Sequence, residues 1–78
     1  MKIMDINKIE VGTEISVQHS RKGQLNGKVV SNDPDSEWMS IELYNRVEGM
    51  ALGNIWHPGE VLNTRKSFLS NCKELPKQ

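Results

Sequence analysis

The alternation of apolar and polar residues is the strongest pattern along this chain, and it predicts strands. Over residues 14–20, Ile15 and Val17 share one face while Glu14, Ser16 and Gln18 share the other, the period of two that a half-buried strand requires. Residues 25–32 give a second strand with Leu25, Gly27 and Val29 on one face, until Val30 breaks the alternation. Glycine inside a strand marks a bend or bulge, which points to Gly27. The clearest strand is 37–44: Met39, Ile41 and Leu43 face a core, and Trp38, Ser40, Glu42 and Tyr44 face away from it. Between these runs lie Gly12, Arg21-Lys22-Gly23 and Asn32-Asp33-Pro34-Asp35-Ser36. In the last of these, proline presets one dihedral while Asn, Asp and Ser bond back to nearby backbone, so an exposed acidic tip is expected.

The pattern is weaker beyond residue 45. A fourth strand is expected within residues 50–56 and a short fifth within residues 60–64, separated by the His57-Pro58-Gly59 turn. Phe68, Leu69, Cys72 and Leu75 then fall at i, i+1, i+4 and i+7, one helical face, and predict a short C-terminal helix capped by Thr64 or Ser67 and ending before Pro76. Ile3, Met4, Ile6, Ile9 and Val11 suggest a short turn or helical lead-in packed under the sheet. The fold class expected is mainly β: one domain over residues 1–78, a small antiparallel barrel of four or five short strands with that terminal helix. Closure into a barrel would also remove exposed strand edges.

Composition narrows the picture. A chain of 78 residues buries only about 60 to 65% of its unfolded surface, so one small core is all it supports, and self-association is a natural way to add stability. Cys72 is the single cysteine, which excludes an intrachain disulfide and fits a cytoplasmic location. Lys2, Asp5, Lys8 and Glu10 interrupt the N-terminal stretch, so a signal peptide is not expected, and no apolar run is long enough for a membrane-spanning helix. The net charge is zero, but residues 1–30 carry five bases against three acids, residues 31–64 one against six, and residues 65–78 four against one. Local basic patches therefore remain available for nucleic acid despite the neutral total.

The opening Gly12-Thr13-Glu14-Ile15-Ser16-Val17, followed by Arg21-Lys22-Gly23 and Gly27-Lys28-Val29-Val30, resembles SH3-like small barrels. It is closest to the KOW type, in which a V-x-V strand leads through a basic glycine turn to a G-x-V strand. About 20 residues carry the likeness, with Gln24, Leu25 and Asn26 standing between the two glycines where two residues are usual. The resemblance implies contact with RNA, or with ribosomal and transcription proteins, through Arg21, Lys22 and Lys28.

Residues that could carry chemistry are few. Cys72, His19 and His57 have no spacing that assembles a nucleophile with its base, and they lack the paired short spacings of a zinc site. Cys72 reads as a packed core thiol, His19 as a rim or core histidine and His57 as a turn residue. Asp33, Asp35 and Glu37 lie in or beside an exposed tip rather than a pocket, and no phosphate-binding glycine fingerprint is present. Neither an enzyme nor a cofactor is expected.

What remains is aromatic and basic. Trp38, Tyr44 and Trp56 either anchor a protein partner or form a second small core under the chain termini. The expected function is a noncatalytic binding module that docks a protein through this aromatic surface or through an open strand edge. Two alternatives stand beside it: an RNA- or DNA-binding module using Arg21, Lys22, Lys28, Arg65 and Lys66 on phosphates, and an obligate homo-oligomer.

Overall fold

The computed structural model describes residues 5–49 and 54–76. Among the described residues seven strands follow one another: β1 (Glu14–His19), β2 (Gly23–Asn32), β3 (Trp38–Leu43), β4 (Val47–Glu48), β5 (Ile55–Trp56), β6 (Val61–Arg65) and β7 (Leu69–Glu74). Five of them form one antiparallel sheet in the order β6-β3-β2-β1-β7, and β4 pairs with β5 in a separate two-stranded sheet. The first three strands lie where the alternation places them, to within two residues at each end. Of the fourth expected strand, Ile55 and Trp56 are β5, and residues 50–53 fall outside the described residues. Similarly, the N-terminal lead-in is a 3-10 turn at Ile6–Lys8, capped by the Asp5 carboxylate accepting from the Asn7 amide at 3.0 Å, while Ile3 and Met4 lie outside the described residues.

The alternating residues build the core. Ile15, Val17, Leu25, Val29, Met39, Ile41 and Leu43 are fully buried, with Ile9, Val47, Leu62 and Cys72 around them and Ile6, Trp56 and Leu69 packed alongside. Each such side chain contributes about 1.5 to 3 kcal/mol of transfer free energy when buried completely. Gly27 belongs to the same face, but it marks no bend: it pairs in regular register with Ile15 and with Leu43. It is glycine because a Cβ there would run into the Glu42 carbonyl oxygen and sit 2.8 Å from the Ile41 Cγ2. The irregularity lies three residues on, between Val29 and Ser31, so Val30 is the extra residue of a bulge. That is the physical content of the broken alternation.

The expected C-terminal helix does not form. Lys66–Phe68 is a 3-10 turn, and Leu69–Glu74 is a strand that pairs with the free edge of β1. The register of that pairing shifts opposite Ser16 and Gln18, where Asn71 takes a φ of 54°. Asparagine tolerates this left-handed conformation better than most residues. The inserted residue puts Leu69 and Cys72, three apart, on the same side of a strand, and so imitates helical spacing. β1 needs hydrogen-bond partners along its second edge, and that long-range demand overrides the local period.

A closed barrel is also not formed. Among the described residues no ladder joins β6 to β7, so the sheet stays open between them. It is nevertheless strongly curled. Arg65 and Leu69 are four residue steps apart and can lie at most about 14 Å from each other, whereas the edges of a flat five-stranded sheet lie about 19 Å apart. His19 on β1 accordingly reaches Thr64 on β6 at 2.9 Å, although two strands lie between them in the sheet.

Candidate functional site

The three aromatics occupy different environments. Trp38 begins β3 on the outer face and is 50% exposed, with the Arg65 guanidinium stacked 5.2 Å from its ring centre. The two residues are direct cross-strand partners, and Arg65 also faces the Glu37 carboxylate at 3.6 Å. Tyr44 lies just past the other end of the same strand, about 20 Å away at 3.3 Å per residue. Its hydroxyl donates to Glu14 at 2.8 Å, and this bond, with some desolvation and the charges of Glu14 and Glu42, raises its phenol above the ordinary value. Trp56 is half-buried on β5, packed against the core beneath the Lys22 ammonium at 5.0 Å. The aromatics are therefore neither one surface nor one second core.

The basic residues divide as well. Arg21 and Lys22 form the turn between β1 and β2, whose geometry needs the positive φ of 80° at Gly23. Lys28 stands in the middle of β2 with Glu14 opposite it on one side and Glu42 on the other. It is screened by two carboxylates and lies about 20 Å along the strand from Lys22.

Arg21 and Lys22 instead join a different set. Arg21 stacks 5.2 Å from the Phe68 ring centre, Lys22 covers Trp56, and Arg65 covers Trp38. Arg65 and Phe68 are three residues apart and Arg21 and Lys22 are neighbours, so the three pairs run in series from Trp38 to Trp56 past the open side of the sheet. Each stack is worth about 0.5 to 1 kcal/mol at an exposed site. Together they place three cations beside apolar ring faces.

His19 sits under this run and is 2% exposed. Its Nδ1 accepts the Arg21 backbone N–H at 3.0 Å, and its Nε2 lies 2.9 Å from Thr64 Oγ1. Burial first, then Lys22, then Arg21 lower its pKa below 6.5. A second buried polar group holds the neighbouring corner. Lys66, 8% exposed, donates through Nζ to the Asp33 carbonyl at 2.7 Å and to Asn7 Oδ1 at 3.2 Å. Asn32 donates to the carbonyls of Ile6 and Ile9 at 2.9 and 2.8 Å, while its own Oδ1 is buried without a partner. Lys66 ties the N-terminal turn and the acidic tip to the end of β6, and Asn32 ties the N-terminal turn to the end of β2.

The remaining candidates are structural. Cys72 is buried, and desolvation pushes its thiol up to about 11, far from a reactive thiolate. His57 begins a type II turn in which Glu60 N–H bonds the His57 carbonyl at 3.1 Å and Gly59 takes a φ of 94°. Asp33 and Asp35 form an exposed turn in which the Ser36 amide bonds the Asp33 carbonyl at 3.0 Å. Among the described residues no three of His, Cys, Asp and Glu are placed to hold a metal ion.

Comparison of the chain with protein-family models, curated proteins and solved structures gives no match. The site residue that sequence reasoning underused is Phe68, assigned to a helix when it belongs to the cation–aromatic run. The basic-plus-aromatic composition of residues 65–68 was its only signal.

Proposed function

We propose that this chain is a noncatalytic binding module with an SH3-like strand arrangement, and that it docks an acidic protein segment over Trp38 and Arg65. An antiparallel meander whose last strand returns to pair with the first, after a 3-10 turn, supports the SH3-like reading. The observation that carries the binding reading is the pairing of a half-exposed tryptophan with an arginine at the edge of the sheet. Trp and Arg are the side chains most often found at the energetic centre of protein interfaces. The exposed Arg65–Glu37 pair is worth little by itself and is easily exchanged for a partner's carboxylate. The edge of β6, from Val61 to Arg65, carries no ladder partner among the described residues and offers backbone groups to an extended segment beside it.

A second reading has its own observation. Arg65, Arg21 and Lys22 in series, each against an aromatic ring, suit the phosphates and bases of single-stranded RNA. One experiment separates the two readings. The immobilised protein and its Trp38→Ala variant are incubated with cytoplasmic extract, with and without nuclease, and the bound fractions are compared. A protein retained by the parent after nuclease and reduced at least about tenfold by Trp38→Ala supports protein docking. Recovery of nucleic acid, with affinity falling steeply as salt is raised, replaces it with the RNA reading. Retention of the same proteins by both forms refutes docking at Trp38. The variant itself should fold, since its side chain is half in solvent.

A further inference from the structure

The arrangement around His19 satisfies every polar atom in only one protonation state. A backbone amide can only donate, so the Arg21 N–H requires a lone pair on Nδ1. The single proton of the neutral ring is therefore on Nε2, from which it is donated to Thr64 Oγ1. The Thr64 hydroxyl in turn bonds the Arg65 carbonyl at 3.3 Å. The chain of bonds runs from the basic turn, through the ring, to the residue that covers Trp38. In effect His19 performs the task of an Asn or Asp at the start of a turn, accepting from the amide two residues on, while its far nitrogen reaches another strand.

We propose that His19 is a proton-operated latch: neutral, it fastens the Arg21–Lys22 turn to β6, and on taking up a proton it lets go of the turn. A proton added at Nδ1 sets two donors against each other, and the Arg21 amide must turn away to water. The charged groups facing the ring disfavour the cation. The turn contributes Arg21 and Lys22, both positive. The 3-10 turn contributes the Phe68 ring at 5.5 Å, β6 contributes Thr64, and Leu69 of β7 and Gly23 of β2 are its direct neighbours in the ladders. No carboxylate stands among these contacts. Burial and the two cations together hold its titration below 6.5, so the latch is closed at neutral pH and opens only as the pH falls below that value.

The turn that is released carries two of the three cations of the candidate surface, and that consequence rests on the binding reading above. The latch itself does not, and nuclear magnetic resonance reads it without any partner. The full chain is titrated from about pH 7.5 downward while the His19 ring and the backbone amides are followed. The Arg21 amide should move with the same midpoint as the ring, below 6.5. Its protection from solvent exchange, corrected for the intrinsic rate, should fall about three- to tenfold, with Ile15 and Val29 in the sheet unchanged.

Two variants make the test specific. His19→Asn keeps an acceptor where Nδ1 stands and cannot titrate, so the Arg21 amide should stay protected throughout. His19→Gln places its amide towards Thr64 and abandons the turn, so the Arg21 amide should resemble the acid form already at neutral pH. An Arg21 amide indifferent to the His19 titration overturns the latch, as does a His19→Asn protein with the parent's pH dependence. Failure of any partner to bind leaves these amide signals untouched and bears on the binding reading alone.

Discussion

The centre of the sheet and its open side are held together by different physics. At the centre, β1, β2 and β3 join through continuous ladders, and their inward residues from Ile15 to Leu43 are closed to solvent. Along the open side no ladder connects β6 to β7 among the described residues; there His19 reaches across to Thr64, and the corner beside it is fastened by Lys66 to Asp33 and Asn7 and by Asn32 to the N-terminal turn. Apolar burial is nondirectional and tolerates small shifts, whereas a buried polar group needs its partner in place. Stability thus comes mainly from the centre, while the polar fastenings set how far the sheet curls and where Arg21, Arg65 and Phe68 stand.

The largest expected effect lies at the centre. Gly27→Ala drives a Cβ into the Glu42 carbonyl and against Ile41, both on a strand paired along each edge, and should cost about 3 kcal/mol, read as a lowered urea midpoint. A midpoint unchanged by this variant would mean that β2 and β3 are not closely apposed there. Next comes the acidic-tip fastening. Lys66→Met keeps the apolar stem and removes the donors to Asp33 and Asn7, so a loss of about 2 kcal/mol is expected, with faster amide exchange at Ser36. If stability is unaffected, the two ends of this contrast are not held by different means.

The smallest effect is at His19, and it is conditional on pH. Thr64→Val preserves shape but leaves the Nε2–H buried without an acceptor, at a cost of about 1 to 2 kcal/mol at neutral pH. In the parent protein, the lowered pKa of His19 means that the unfolded chain binds the proton first as the pH falls. Its contribution to stability is therefore full above about 6.5, declines as the pH drops from there through the folded-state value, and levels off below it. Thermal unfolding at a series of pH values checks the sign: a melting temperature that rises on acidification across this window, with His19→Asn showing no such rise, contradicts the assignment.

Much of the centre was legible in the sequence and little of the open side was. Ile15 with Val17, and Met39 with Ile41 and Leu43, advertise their strands because side chains two apart share a face. The break in alternation at Val30 was visible too, but the bulge it marks was expected at Gly27. Residues 69–74 were misread for a physical reason: Asn71 inserts one residue into the strand and brings Leu69 and Cys72 together at a spacing that a helix would also produce. Among site residues, Trp38 on the outward face of its strand was evident, whereas its pairing with Arg65 across 27 positions was not. Lys28, grouped with Arg21 and Lys22 by the resemblance to KOW-type barrels, stands far from them because an extended strand separates its residues by over 3 Å each.

The sequence by itself determined which residues of the first three strands point inward, where the chain turns, and that no disulfide can hold it, since these depend on near neighbours and on one cysteine. The tertiary structure alone decided that the last segment is a strand, that the sheet curls without closing, and that His19 meets Thr64. Those outcomes depend on hydrogen-bond groups left over by one strand and met by another more than forty residues away. No local period records that kind of demand.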